Sequence, residues 1–288
     1  MLKRLGQNLA EMTIKVGQQY DERFFRPDST LWKVDREMVL LLAGGRALLM
    51  QLAHPKIAAG VSDHSHFQDN PFGRLYRTMS AMWSIVFDER AEACAALARV
   101  EGRHKKVQGV VSLGEPLHAT KQYGAFDQDL LLWVHATLID SAIIAYDRFV
   151  RSLQPAEKVG YYDDSKKLAC LFGIEERIIP SSLVEFDQYM ERMLTNDALA
   201  VGPTAKSLSH NILYARPWIF KPAGPLFRFV TAGLLPEKLR EGYKLNWNEH
   251  KEKTFSLLAK AIRVSLPLVP TPIRVVPNAR IAERAFQR

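Results

Sequence analysis

The stretch LLLWVHATLIDSAIIAYDRFV, residues 130–150, is apolar on nearly every side of the helix it would form. Such a helix cannot lie on the surface of a soluble protein; it belongs at the centre of a bundle, with other helices wrapped around it. Polar side chains carried into that centre lose their water. His135, Thr137, Asp140 and Ser141 must therefore bond to one another, to a ligand or to neighbouring helices.

The rest of the chain supplies those neighbours. Apolar residues recur at spacings of three and four, and clean strand-like alternation is scarce, so the fold class is all-α. Helices are expected over about 35–53, 71–87, 88–111, 127–152, 164–172, 181–198, 203–213, 225–232, 236–243 and 247–265. Asp88 and Asp127 stand where N-caps should be. Pro55, Pro71, Pro155, Pro180, Pro203 and Pro217 mark helix boundaries. With 288 residues, 47% of them hydrophobic, the chain can bury a sizeable core. The expected organisation is a single globular helical domain over 1–288, ending in a proline-rich basic tail from 267 to 288.

Charge and motifs exclude several classes. Lys and Arg outnumber Asp and Glu by 39 to 31, but the excess is spread out, with no run of five like charges. That argues against nucleic acid as a partner and is compatible with peripheral contact to acidic lipid. Two cysteines, Cys94 and Cys170, lie in helical stretches, so a reducing, cytoplasmic setting is expected rather than a disulfide framework. The first twenty residues lack the pattern of a secretory signal. The apolar run Met38–Ala53 carries Arg46 and Gln51 and falls short of the roughly 20 residues of a bilayer span. No nucleophile elbow, Walker loop or dinucleotide fingerprint occurs, and the Gly44-Gly45 pair within a helix reads as a place of close approach.

One histidine stands apart. Along the helix expected from Asp88, residues Ala93, Leu97, Val100, His104, Val107 and Val111 step by three or four and share the apolar face. His104 therefore points toward the core although its sequence neighbours are charged. On the preceding helix Arg74, Arg77 and Thr78 cluster at i, i+3 and i+4 beside an apolar stripe of Leu75, Met79, Met82 and Val86. Such arginines suit carboxylates, and a threonine hydroxyl can donate to bound oxygen, although a solvated face has the same spacing.

Two metal readings compete. Glu101-Gly-Arg-His104 has the Glu-x-x-His spacing of di-iron helices, but its second copy, Glu115-Pro-Leu-His118, is broken by Pro116. His54, His64 and His66, with Asp63 and Asp69, are of the types that hold zinc or iron, but they fall in what reads as a loop.

Taken in order, GGRALLMQLAHPKIAAGVSDHSHF, NPFGRLYRT, VEGRHKKVQG, WVHATLIDSAIIAYDRF and LLPEKLREGYKLNWN resemble the oxygenase family typified by the latex-clearing rubber oxygenases and the fungal MpaB-type enzyme of mycophenolic acid biosynthesis, over roughly residues 30–250. The resemblance implies an all-α fold with an internal pocket for non-covalent haem b. It also implies a histidine as iron ligand, and cleavage of C=C bonds by O₂ in an unsaturated isoprenoid or fatty chain. Carried onto this chain, the iron ligand falls on His104, with His135 as second choice or propionate partner. Arg74 and Thr78 take the places of the arginine and threonine of the rubber oxygenases' Arg-x-x-Lys-Thr. Arg77 replaces their lysine, and a guanidinium, always protonated, is a poor iron ligand. The expected partners are a small apolar substrate, O₂ and an electron donor; a haem- or lipid-binding carrier without turnover is the alternative.

Overall fold

The computed structural model describes residues 23–64, 71–113, 119–214 and 223–286. Ser29 opens the first helix, α1 (Thr30–Asp35), by accepting from the Trp32 backbone N–H. A 3₁₀ segment (Met38–Ala43) runs into α2 (Gly44–Leu52), and the chain then bends by 106° at His54 into α3 (Pro55–His64). Next come the helical hairpin α4 (Pro71–Phe87) and α5 (Arg90–His104), the strands β1 (Gln108–Leu113) and β2 (Ala119–Gly124), and the long α6 (Gln128–Phe149). The remaining helices are α7 (Pro155–Leu171), α8 (Leu183–Thr195), α9 (Pro203–Leu213), α10 (Ala223–Leu234), α11 (Glu237–Gly242), α12 (Glu249–Ser265), α13 (Thr271–Arg274) and α14 (Pro277–Phe286).

The fold is all-α apart from that one hairpin, and α6 is its axis. Helices α1, α2, α7 and α12 and the 3₁₀ segment all pack on α6. Trp133, Ala136, Thr137, Ala145 and Phe149 are fully buried along its length. Burying each large side chain contributes roughly 2–3 kcal/mol, which offsets the cost of ordering so long a helix. This helix is long and apolar enough to cross a membrane, and 61% of its apolar stretch is buried against protein neighbours. Trp133 Nε1 donates to the Met50 carbonyl at 3.2 Å, closing the indole's polar end.

The four interior polar groups of α6 find protein partners. Arg46 of α2 is buried between α6 and α10, donating to Ser141 Oγ at 2.7 Å, to Asp140 Oδ2 at 2.5 Å and to the Leu234 carbonyl at 2.9 Å. Thr137 Oγ1 accepts from Gln51 Nε2 at 3.0 Å and donates to the Val134 carbonyl at 2.8 Å. Gly45, beside Arg46, permits this approach of α10: a Cβ there would meet Thr231 Oγ1 at 2.1 Å.

Three local expectations are corrected. The helix expected over 88–111 ends at His104, and QGVVSL pairs antiparallel with ATKQYG, Gln108 opposite Gly124 and Leu113 opposite Ala119. Val110 and Val111 are β-branched, and the hairpin gains a docking surface on α3, where Gly60 admits the Tyr123 ring; packing overrides the helical period. Val107 and Val111 therefore leave the His104 stripe. The segment after His54 is helix, not loop, opened by Pro55 at its first position and burying Ala58 and Gly60. Neither aspartate caps by its side chain. Asp127 is the N-cap residue of α6, but its carboxylate lies 3.4 Å from Lys56 Nζ; Asp88 accepts from Asn278 at 2.8 and 2.9 Å.

The proline-rich tail is a strap. Val276 N–H donates to the Arg36 carbonyl, Arg274 grips buried Glu37 at 2.8 and 2.9 Å, and Trp32 Nε1 donates to Glu283 at 2.9 Å. The tail so closes on α1 and on α4.

Candidate functional site

Helix α4 runs to the turn at Asp88 and α5 runs back from it, the two packed together. Counting from that turn, Arg74 lies 13 residues before Phe87 and His104 lies 14 after Arg90, about 20 Å along each helix at 1.5 Å per residue. The antiparallel hairpin thus brings the backbone positions of Arg74, Arg77 and Thr78 to the same end as His104. Arg77 and Thr78 are exposed there, and the Arg74 side chain lies outside the described residues.

His104 is the last residue of α5 and is half-buried, on the face shared with buried Ala93 and Leu97, while Arg103, Lys105 and Lys106 are exposed. The phase expected for it therefore holds although the helix is shorter. Its imidazole meets the Phe126 ring edge-on, centroids 6.1 Å apart. Burial, with the Arg103 cation beside it, lowers its pKa, favouring the neutral ring. A neutral imidazole retains a free nitrogen lone pair, which a metal requires.

Phe126 and Asp127 lead into α6, and Lys56 of α3 reaches Asp127 from the bend that carries His54. His54 Nδ1 is buried with no hydrogen-bond partner among the described residues. Its pKa is lowered, first by burial and then by Lys56, against Asp129 and a contact with its own backbone. A buried ring nitrogen left without a partner is costly unless something polar meets it. The sequence offered His54 only as one of a loop cluster; its isolation becomes visible once the 106° bend is known.

The rest of that cluster is occupied elsewhere. Asp63 Oδ2 accepts from Tyr123 at 2.6 Å, and His64 Nε2 lies 2.9 Å from the Gln108 carbonyl, so both hold the β-hairpin on α3. His66 and Asp69 lie outside the described residues, as do Glu115 and His118. Glu101 pairs with Lys105 at 2.9 Å. Among the described residues no three His, Cys, Asp or Glu side chains gather to hold a bare metal ion.

His135 is placed differently from His104. It is buried between α6 and α7, where burial pushes its pKa down to about 4 against a hydrogen bond with the Ser165 backbone. Thr137 and Asp140 also serve the α2–α6 contact.

Haem b brings four ring nitrogens of its own and asks the protein for one neutral axial donor, a dry slot and cations for its propionates. Of these, His104 offers a half-buried imidazole bordered by Phe126, and Arg77, exposed, lies toward the same end of the hairpin as the backbone of Arg74.

The sequence profile of the family described as "ER-bound oxygenase mpaB/B'/Rubber oxygenase, catalytic domain" matches residues 32–264. Two uncharacterized proteins, one from Mycobacterium bovis (strain ATCC BAA-935 / AF2122/97) and one from Mycobacterium tuberculosis (strain ATCC 25618 / H37Rv), are each 26% identical to the chain over 230 residues, which is 77% of this chain and 87% of theirs. No solved structure matches it.

Proposed function

The chain belongs to the family of MpaB-type and rubber oxygenase catalytic domains, and from that premise we propose that it is a haem b-dependent oxygenase acting with O₂ on an unsaturated apolar chain. The observation that carries the reading is His104: a half-buried imidazole of lowered pKa on the apolar face of α5, at the hairpin end that also carries Arg74, Arg77 and Thr78.

In this reading His104 holds the iron through one ring nitrogen, and His135 is its runner-up. Bound there, haem supplies the redox chemistry that makes O₂ reactive toward a C=C bond. The chain's own residues do the rest. Arg74 and Arg77 bind the carboxylates of the cofactor, since a guanidinium offers a fork of donors and no lone pair to iron. Thr78, exposed toward the same end of α4, would orient O₂ there by donating its hydroxyl hydrogen. The Phe126 ring meets the His104 imidazole edge-on and would help hold its orientation. His54 Nδ1 offers a further buried ring nitrogen on the side of the α2–α3 bend.

The test is spectroscopic. Protein purified from haem-replete cells should show a Soret band that His104→Ala abolishes and His135→Ala leaves in place. No Soret band in the unaltered protein would remove the haem reading. Loss in His135→Ala with retention in His104→Ala would move the ligand to α6. A haem protein that consumes no O₂ across a panel of alkenes with an electron donor would be a carrier.

A further inference from the structure

Helix α12 is apolar on two opposite sides. Phe255 and Ala259 face the core against α6 and α10. Leu257 and Val264 point away from them at 69% and 67% exposure, and Leu268, just past the helix end, reaches 83%. Steps of seven and four put these three on one line, about 16 Å long at helical rise. Ile273 of α13, 66% exposed, follows it. Single exposed apolar residues need no explanation, but six of the eleven large ones exposed among the described residues fall between 257 and 286, which is a concentration.

Beyond the first turn of α12, which carries Glu249 and Glu252, the charge is predominantly basic. From Lys253 to the last residue the chain has seven Lys and Arg against one acidic residue, Glu283. Glu283 is already engaged by Arg36 at 2.9 Å and by Trp32. Lys253 and Lys260 flank the line at helical spacing; Lys253 pairs with Glu249 at 2.7 Å, whereas exposed Lys260 has no ion-pair or hydrogen-bond partner among the described residues.

We propose that this outer face of α12, with the turn into α13, docks on an anionic lipid surface. Leucine and valine side chains enter the acyl boundary, while lysines of this length lay their stems along it and keep their ammonium groups among the headgroups. A second copy of the chain fits less well, because a two-fold interface sets a patch against itself and would oppose like charges. The inference is independent of the oxygenase reading.

Sedimentation of the purified full chain with vesicles tests it. Phosphatidylcholine vesicles containing about 30% phosphatidylserine should bind the protein at least about tenfold more strongly than phosphatidylcholine alone at about 0.1 M salt, and the difference should collapse at about 0.5 M. Lys260→Glu should weaken anionic binding by about tenfold or more, and Leu257→Ser/Leu268→Ser by a similar factor; all are exposed positions whose thermal melts should match the parent. Absence of anionic binding would overturn the proposal, as would binding unchanged in the double serine variant. Dimers in sedimentation velocity that the double variant abolishes, with no vesicle binding, would assign the face to a second copy instead.

Discussion

Replacing Asp140 with alanine leaves the Arg46 guanidinium in place with its charge unanswered. The Arg46 side chain is 3% exposed and that of Asp140 22%, so the cation cannot turn to solvent while its partner borders it. Ser141 Oγ and the Leu234 carbonyl remain as neutral acceptors. Breaking a buried ion pair from one side costs about 3–5 kcal/mol. The partial exposure at Asp140 lets water reach the gap, so the lower end, about 3 kcal/mol, is expected, or a melting temperature lower by roughly 6–12 °C for a domain of this size. Arg46→Met should cost less, about 1–2 kcal/mol, because the stranded Asp140 carboxylate can hydrate. The double variant Arg46→Met/Asp140→Leu should be less destabilised than the sum of its parts by about 2 kcal/mol. Urea unfolding followed by circular dichroism, with slopes compared to confirm a common denatured state, reads all three. A single Asp140→Ala variant within about 1 kcal/mol of the parent, or strict additivity in the double, would refute the reasoning.

Gly45→Ala forces a methyl against Thr231, and should cost about 1–3 kcal/mol in thermal melts; adding Thr231→Ala should restore most of it, and no restoration would mean the contact is not the cause. Acid stability should reveal two opposed groups. His135, at about 4 when folded against 6.5, sheds protons on folding between those values, so its contribution is complete above pH 6.5 and lost as pH falls through about 4. Asp35, which burial pushes up to about 7 from 3.8 while Tyr161 hydrogen-bonds it, takes up a proton on folding, so its contribution is present below pH 3.8 and lost as pH rises through about 7. The two nearly cancel between pH 4 and 6.5. Asp35→Asn should make stability rise by roughly 1.4 kcal/mol per pH unit across that window in urea titrations, and a flat profile would remove the assignment for His135.

How far the sequence carried these conclusions depends on the kind of information each needs. The period and all-round apolarity of α6 are local, so its burial was legible, as was the demand that His135, Thr137, Asp140 and Ser141 find partners. The partners were not. Arg46 was visible as a charge inside an apolar run, but nothing within a few residues of it says that the other side of the pair lies 94 positions along the chain. The β-hairpin failed for the same reason: 105–111 continues a helical period acceptably, and only α3, which takes Tyr123 and Val107 against Gly60, makes the extended form better. His104 was legible in phase, because Ala93, Leu97 and Val100 precede it on the same face, and the lowering of its pKa follows first from that burial. His54 was legible only as a histidine; the bend that strips it of a partner is a tertiary fact. The outer line on α12 was also in the letters, but an apolar residue at helical spacing reads as core until the true core side is seen to be Phe255 and Ala259.

The strap formed by the tail has a consequence in time. Trp32 and Glu283 are 251 positions apart, and Glu37 waits nearly as long for Arg274. At a synthesis rate of about 5–20 residues per second, the first helix is without its closing contacts for roughly 12–50 seconds after it is made. During that interval a tryptophan and a carboxylate destined for burial stand in water while the central helix is already being wrapped, so the order in which the ribosome delivers the chain is the reverse of the order in which its outermost layer can be sealed.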